Sequence, residues 1–284
     1  MPTPPIEIAA GEWRAAIRPQ IGGSLAGLTH RGRPVLRAMP ATGTSPLDAA
    51  CFPLVPYANR IRDGRFSFGG HDVRLELNHP PERHSLHGIG WQRPWLLQSL
   101  VGSSVSLVLD HGGFGGWPWA WRAVQLFTLD PSGLTITLSL TNESREAMPA
   151  GLGFHPYFRR SPHTRLRFAA RALLVADEEI MPTGERAGPD SLAPFGIGAP
   201  LPPALIDHCF TGWDGRAEIE DEAGRIIITA DHAPHLHIYS PAAGHELCVE
   251  PVSHLPDAVN RPEWPMPALA PGETATIQMR IEES

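Results

Sequence analysis

Residues 133–142, Gly-Leu-Thr-Ile-Thr-Leu-Ser-Leu-Thr-Asn, constrain the fold more than any other stretch. Leu134, Ile136, Leu138 and Leu140 alternate with Thr135, Thr137, Ser139 and Thr141. A period of two puts all four aliphatic side chains on one face of a strand, whereas an α-helix would scatter them around its circumference. The pattern recurs. Trp13, Ala15 and Ile17 alternate near the start, and Ala275, Ile277, Met279 and Ile281 oppose Thr274, Thr276, Gln278 and Arg280 near the end. Residues 104–109 form another apolar run, and Trp117, Trp119 and Trp121 share one face before residues 124–127. Indoles bury so much area that this cluster reads as core or sheet packing ahead of the alternative, a sugar platform with one Trp at the edge of a pocket. No amphipathic helical pattern exceeds ten residues. The 31 prolines and 28 glycines are dispersed between apolar runs, as turn punctuation rather than disorder. The expectation is an all-β chain with large antiparallel sheets and few short helices. With no internal repeat and no clear break, residues 1–284 read as a single domain large enough for a sizeable core.

Charge and composition exclude several roles. The formal net charge is −7 with no basic run, which argues against a nucleic-acid partner. No apolar run is long enough to span a bilayer, so no membrane role is expected. The first residues lack the basic start and apolar segment of a signal peptide. The three cysteines, Cys51, Cys209 and Cys248, are odd in number and far apart. They suggest neither a disulfide framework nor a Cys-only zinc site, and a cytoplasmic setting fits best.

Several polar residues stand where chemistry is feasible. In residues 246–252, Glu246, Cys248 and Glu250 fall on one strand face and Leu247 and Val249 on the other. Pro251 lacks an N–H, so pairing should weaken beside Glu250. Glu250 is then either a held general base or a solvated, ion-paired strand end. His155 lies between the glycines 151 and 153 and Pro156, as a proton donor at a strand end or a core histidine bonded to backbone. Arg60 and Asn59 follow a proline-stiffened segment; Arg60 reads as an anion- or hydroxyl-binding group or as a surface residue. Asp63-Gly64 is a hairpin signal. Asp207 follows an apolar pair and either bonds a ligand or shapes a turn. His84 and His87 sit three apart and would need a third metal ligand from His71, His79, His232, His235 or His237. The spacing matches no familiar metal motif. His235 and His237 alternate with Leu236 and Ile238 and read as the wet face of a strand.

Taken in order, these pieces resemble the aldose 1-epimerase (galactose mutarotase) family. The resemblance rests on Asn59-Arg60-Ile61, Leu86-His87-Gly88, Gly153-Phe154-His155-Pro156-Tyr157-Phe158, Ile206-Asp207-His208 and Cys248-Val249-Glu250-Pro251. Pro256-Asp257-Ala258-Val259-Asn260 and Leu269-Ala270-Pro271-Gly272-Glu273 extend it over nearly the whole chain. It implies a β-supersandwich with an open cleft across one large sheet. It also implies an isomerase that interconverts the α and β anomers of a hexose or related aldose, with no metal and no organic cofactor. By this resemblance Glu250 is the general base, His155 the general acid, and His87 assists at the sugar ring. Arg60 and Asp207 bind hydroxyls, and Asn59 lines the pocket. The partner is a small-molecule sugar, and the protein is a monomer or a homodimer.

One position departs from the family pattern. Arg159-Arg160 follows Tyr157-Phe158 where Asn-Leu is common. Two arginines there either face an anionic sugar substituent, such as a 6-phosphate, 6-sulfonate or uronate, or lie on the surface. A non-catalytic sugar sensor on the same fold is the further alternative.

Overall fold

The structure, a computed structural model, describes residues 3–284. Its backbone is built from two large antiparallel sheets and three two-stranded ones. The described helical turns are all short 3-10 segments, and none is long and apolar enough to cross a membrane. The all-β expectation therefore holds.

The nine-stranded sheet runs in the order Leu96–Val101, Ser104–Gly112, Ala120–Asp130, Gly133–Asn142, Thr274–Glu283, Gly224–Asp231, Arg216–Asp221, Arg165–Phe168, Ala199–Pro200. The alternating strand Gly133–Asn142 is internal, between Ala120–Asp130 and Thr274–Glu283. Its four aliphatic residues are buried and its threonines are only half covered, as a one-sided sheet requires.

The eleven-stranded sheet runs Ile6–Ala10, Trp13–Arg18, Ser24–His30, Cys51–Leu54, Gly153–Arg159, Glu246–Val252, His235–Ser240, Ile206–Thr211, Ala172–Ala176, Pro182–Ala187; Arg33–Pro34 pairs beside Ser24–His30. Its central strands are buried on both faces. Phe154, Phe158, Leu236, Ile238, Leu247 and Val249 join the main core with Leu134, Ile136, Leu138 and Trp121. The alternate residues Phe52, Leu54, Tyr157, Cys209, Cys248 and Val252 form a second apolar cluster on the opposite face, closed by Trp91 and Leu255. This two-sided burial is why 246–252 shows no clean polar alternation. The second cluster is the floor on which the polar residues described below stand.

Two local expectations change. Asp63-Gly64 does not close the hairpin: it lies in a short turn before Arg65–Phe68, with both residues at positive φ. The hairpin to His71–Arg74 turns at Gly69-Gly70, also both at positive φ. Glycine tolerates that conformation at no steric cost, which suits a two-residue turn. Pro251 does not end its strand either. Toward His235–Ser240 the pairing continues through Glu250, Pro251 and Val252. Toward Gly153–Arg159 the ladder pairs Gly153 with Val252 and resumes only at Tyr157 with Cys248. The interruption spans Pro156 and Pro251, neither of which has an N–H to give.

The loops over the second cluster are set by close backbone approach. Arg60–Ile61 pairs with Ser85–Leu86, and Val55 bridges Gly88. Gly88 has φ +69°, and a Cβ there would collide with the Val55 carbonyl. Gly88→Ala is expected to destabilise the fold by about 1–3 kcal/mol, read as a lowered urea midpoint with an unchanged m-value.

Candidate active site

Strand register brings the polar residues into rows. Phe52 pairs with His155, His237 pairs with Glu250, and Cys209 pairs with His237. The register that joins Gly153 to Val252 and Tyr157 to Cys248 sets His155 opposite Glu250. One row of the sheet therefore reads Phe52, His155, Glu250, His237, Cys209. The next row on the same face reads Tyr157, Cys248, Tyr239, Asp207. Side chains two residues apart share a face, so both rows point into one cavity. That cavity holds about 230 Å³ and is also lined by Asn59, Arg60, His79, Glu82, Leu86 and His87 from the loops. All six residues singled out from the sequence, Asn59, Arg60, His87, His155, Asp207 and Glu250, meet there.

His155 Nε2 stands 3.4 Å from Glu250 Oε1. The imidazole is clamped between the rings of Phe52 and Tyr157, with centroids at 4.6 and 4.7 Å. Tyr157 is backed in turn by the Arg37 guanidinium, 3.7 Å from its centroid. Glu250 is 1% exposed, which removes the solvated strand-end alternative. Its Oε1 and the Nδ1 of His155 are buried without a hydrogen-bond partner. Such groups are rare, and both residues line the cleft.

The remaining polar groups orient one another. The Asn59 N–H donates to His87 Nδ1 at 3.0 Å, and the His87 N–H donates to the Asn59 carbonyl at 2.9 Å. A neutral His87 with Nδ1 accepting carries its proton on Nε2. Asn59 Oδ1 accepts from the Arg60 N–H, so its Nδ2 is free to donate to His237 Nδ1 at 3.3 Å. His237 then donates from Nε2 to Asp207 Oδ1 at 2.8 Å. The other oxygen of Asp207 lies 3.3 Å from Arg60 Nη2, which also reaches Glu82 at 3.2 Å. Arg60 is thus held between two carboxylates and is not a free surface arginine.

Burial shifts the titrations. It pushes Glu250 well above the usual carboxylate range, and the Asp207 charge adds to the effect. Burial pushes His155 down to about 3, with His237 contributing. Burial also lowers His87 strongly, helped by His155 and Arg60. Asp207 goes the other way. Burial works to raise it, but the His237 hydrogen bond and the Arg60 charge outweigh that and hold it at about 2. Two groups at 3.4 Å thus favour their neutral forms, while a third stays ionised in the same cavity.

Some residues depart from the sequence expectations. His237 is not on a wet face: it is buried and joins Asn59 to Asp207. Its alternation with Leu236 and Ile238 was legible, but not that its face is roofed by loops. His84 and His87 do not form a metal pair. His84 Nδ1 accepts from the Asp63 N–H, and its Nε2 lies 3.7 Å from Glu179. A different set, His87, His155 and Glu250, has donor atoms within 4.8 Å of one another. The His87 tautomer argues against it as a metal site, because Nε2–H offers no lone pair. Metal-bound imidazoles instead donate from the other ring nitrogen. Arg159 and Arg160 lie outside the cleft, beside a larger cavity of about 330 Å³. The Arg160 guanidinium is engaged by Ser240 Oγ and by the carbonyls of Pro241 and Pro202. Sequence reasoning missed Glu82, Tyr157 and Tyr239 as cavity lining. Tyr157 and Tyr239 were recoverable from period two, as neighbours of His155 and His237. Glu82 sits in a loop with no periodic signal.

An apolar-floored cleft carrying four imidazoles and three carboxylates on an all-β supersandwich defines a galactose mutarotase-like protein. The family model for aldose 1-epimerase matches residues 4–282, and the chain belongs to that family. The uncharacterized Escherichia coli protein YphB is 38% identical over 273 residues, covering 92% of each chain. Mouse galactose mutarotase is 28% identical over 256 residues, covering 76% of this chain and 73% of its own. A solved structure from Escherichia coli K12 superposes with a TM-score of 0.90 at 35% identity, covering 99% of this chain and 98% of the other.

The Asp207 network has a pH signature. A carboxyl held below its ordinary value stabilises the fold above about pH 4 and loses that contribution as the pH falls toward its folded value. Asp207→Asn is expected to cost about 3 kcal/mol at pH 7 by removing the charged partner of His237 and leaving Arg60 with Glu82 alone. In urea titrations the gap to the unsubstituted protein should narrow as the pH falls below about 4.

Proposed function

We propose that this protein is an aldose 1-epimerase that interconverts the α and β anomers of a neutral sugar. The observation that carries the proposal is the 3.4 Å approach of His155 Nε2 to Glu250 Oε1, in a cavity whose other polar groups are already oriented. In the reaction Glu250 takes the proton of the C1 hydroxyl. The C1–O5 bond breaks as C1 becomes an aldehyde carbon, and O5 receives a proton from His155. Rotation about C1–C2 presents the other carbonyl face. Reclosure reverses both proton transfers. His87 acts differently. Its tautomer is set by the Asn59 N–H and burial disfavours its charged form, so it serves as a standing Nε2–H donor to an oxygen gaining negative charge. Arg60, Asp207 and Asn59 bind the remaining hydroxyls. The chemistry so written calls for no metal or organic cofactor.

In the empty cleft, burial favours the protonated carboxyl of Glu250 and the neutral imidazole of His155. The pair still holds the single proton the cycle needs. Sugar hydroxyls entering the cleft supply hydrogen bonds to the carboxylate, which let that proton move to the imidazole.

The substrate class follows from charge. Among the described residues Arg60 is the one arginine lining the cavity, and Asp207 and Glu82 already neutralise it. A phosphate, sulfonate or carboxylate would enter against uncompensated acidic groups, with no guanidinium to receive it. The proposal further takes residues 1–284 as one domain. It takes the three buried free thiols as fitting a reducing cytoplasm.

Anomer exchange measured by NMR at equilibrium tests the reaction. Glu250→Gln and His155→Asn should each slow exchange about a hundred- to ten-thousand-fold while circular dichroism melts stay cooperative; a Glu250→Gln variant with full activity would overturn the base assignment. Glucose or galactose should exchange at least about tenfold faster than a hexose 6-phosphate, a 6-sulfonated hexose or a uronic acid at low salt. Selective exchange on the anionic sugars would contradict the charge argument. The kcat/KM profile should have its acid limb well below the value near 6.5 that an ordinary catalytic histidine produces, because burial holds His155 down to about 3. It should fall in alkali as Glu250 gives up the pair's proton, and in acid as His155 gains a second.

A further inference from the structure

The proposed acid is held without hydrogen bonds. An imidazole that moves protons is ordinarily oriented through its second nitrogen, bonded to a carboxylate or a carbonyl. Among the described residues His155 has no such partner. Its Nδ1 is buried and unbonded, and its Nε2 stands 3.4 Å from Glu250 Oε1, which is itself without a hydrogen-bond partner. The torsion that turns an imidazole about its Cβ–Cγ bond is broad and two-fold, so it does not fix the ring plane by itself. Packing has to fix it.

The packing consists of rings. Phe52, the cross-strand neighbour of His155, stacks on it at 4.6 Å and 24°. Phe52 stacks in turn on Trp91 at 5.4 Å. Tyr157, two residues along the same strand and on the same face, stacks on His155 at 4.7 Å and 25°. Against Tyr157 lies the Arg37 guanidinium, 3.7 Å from the ring centroid. That guanidinium is itself fixed. Its Nη1 meets Glu246 at 2.5 Å, its Nη2 donates to the carbonyls of Leu47 and Ala49 at 2.5 and 2.6 Å, and its Nε donates to the Ala49 carbonyl at 3.2 Å. A planar guanidinium can lie on a ring while its edge donates, which an ammonium cannot do. The Arg37 backbone N–H also donates to the Tyr157 carbonyl at 2.9 Å, and the Tyr157 N–H donates to the Ala50 carbonyl at 2.8 Å. One arginine thus grips Tyr157 by backbone and by ring and ties it to residues 47–50. Arg37 is not among the residues that line the cleft.

We infer that Arg37 is a positioning residue: by holding Tyr157 against His155 it fixes the imidazole plane in which Nε2 meets Glu250 and the sugar ring oxygen. The inference rests on the proposed role of His155 as the acid. It adds a residue that touches neither the sugar nor the reacting atoms.

Two readouts test it, one of them independent of activity. Stacked rings shift the His155 Cε1–H resonance upfield, and His155→Asn identifies that signal by removing it. In Arg37→Met the resonance should move toward the position of an unstacked histidine. The kcat for anomer exchange should fall about ten- to a hundredfold, as misplacement of a reacting group does, with KM held within about twofold. Tyr157→Phe keeps a ring for Arg37 to hold and should retain at least about tenfold more of kcat than Tyr157→Leu; this pair decides the question if Arg37→Met does not fold. A native kcat in Arg37→Met, a fallen kcat with the His155 resonance unmoved, or equal losses in Tyr157→Phe and Tyr157→Leu would each overturn the inference. If the unsubstituted protein exchanges no sugar, it is the proposed function that fails. The resonance then decides alone: displaced in Arg37→Met it supports the positioning role, and unmoved it overturns it.

Discussion

The site depends on one piece of register. Gly153–Arg159 and Glu246–Val252 run antiparallel with Gly153 against Val252 and Tyr157 against Cys248, and His155 and Glu250 fall opposite each other between those pairs. A slip of one residue would turn both side chains into the main core, because alternate positions serve opposite faces. The register is specified from both sides. Leu247 and Val249 must reach one apolar cluster while Cys248 and Val252 reach the other. The prolines at 156 and 251 relax the ladder between the two strands where His155 and Glu250 stand. On its far side, Glu246–Val252 stays fully paired to His235–Ser240. The pair is thus locally loosened and globally held.

A second constraint comes from above the sheet. Asn59, His87 and Gly88 all have positive φ, at 59°, 60° and 69°. Non-glycine residues adopt that conformation at a cost, and the surroundings must over-determine it. Here the reciprocal hydrogen bonds between Asn59 and His87 and the close approach of Gly88 to Val55 do so. The outcome is chemical as well as structural. The backbone N–H that holds the His87 ring also decides which of its nitrogens carries the proton. A loop conformation thereby chooses between a metal ligand and a hydrogen-bond donor.

The electrostatics follow from the same burial. Desolvation alone would neutralise every ionisable group on the cleft floor. Asp207 escapes because it has two fixed partners, His237 and Arg60, whereas Glu250 has an unpartnered oxygen and one imidazole at a longer distance. Two carboxylates in one cavity are pushed apart in this way, and such divergence separates groups that bind from groups that move protons.

Period-two patterning in the sequence determined the β class, the one-sided burial of residues 133–142 and the buried tryptophans, because strand alternation is a local property. Punctuated strand ends at His155-Pro156 and Glu250-Pro251 singled out two polar residues for the same reason. Asp63-Gly64 misled, since the same dipeptide serves a helical turn as well as a hairpin. Only the tertiary structure decided that His237 is a buried link rather than a wet strand face. It alone showed that Glu82 closes on Arg60 and that Arg159 and Arg160 point away from the cleft. Each of these is set by contacts between segments far apart in the chain. Sequence periodicity reports which face a side chain takes, while the neighbour waiting on that face is supplied by the fold.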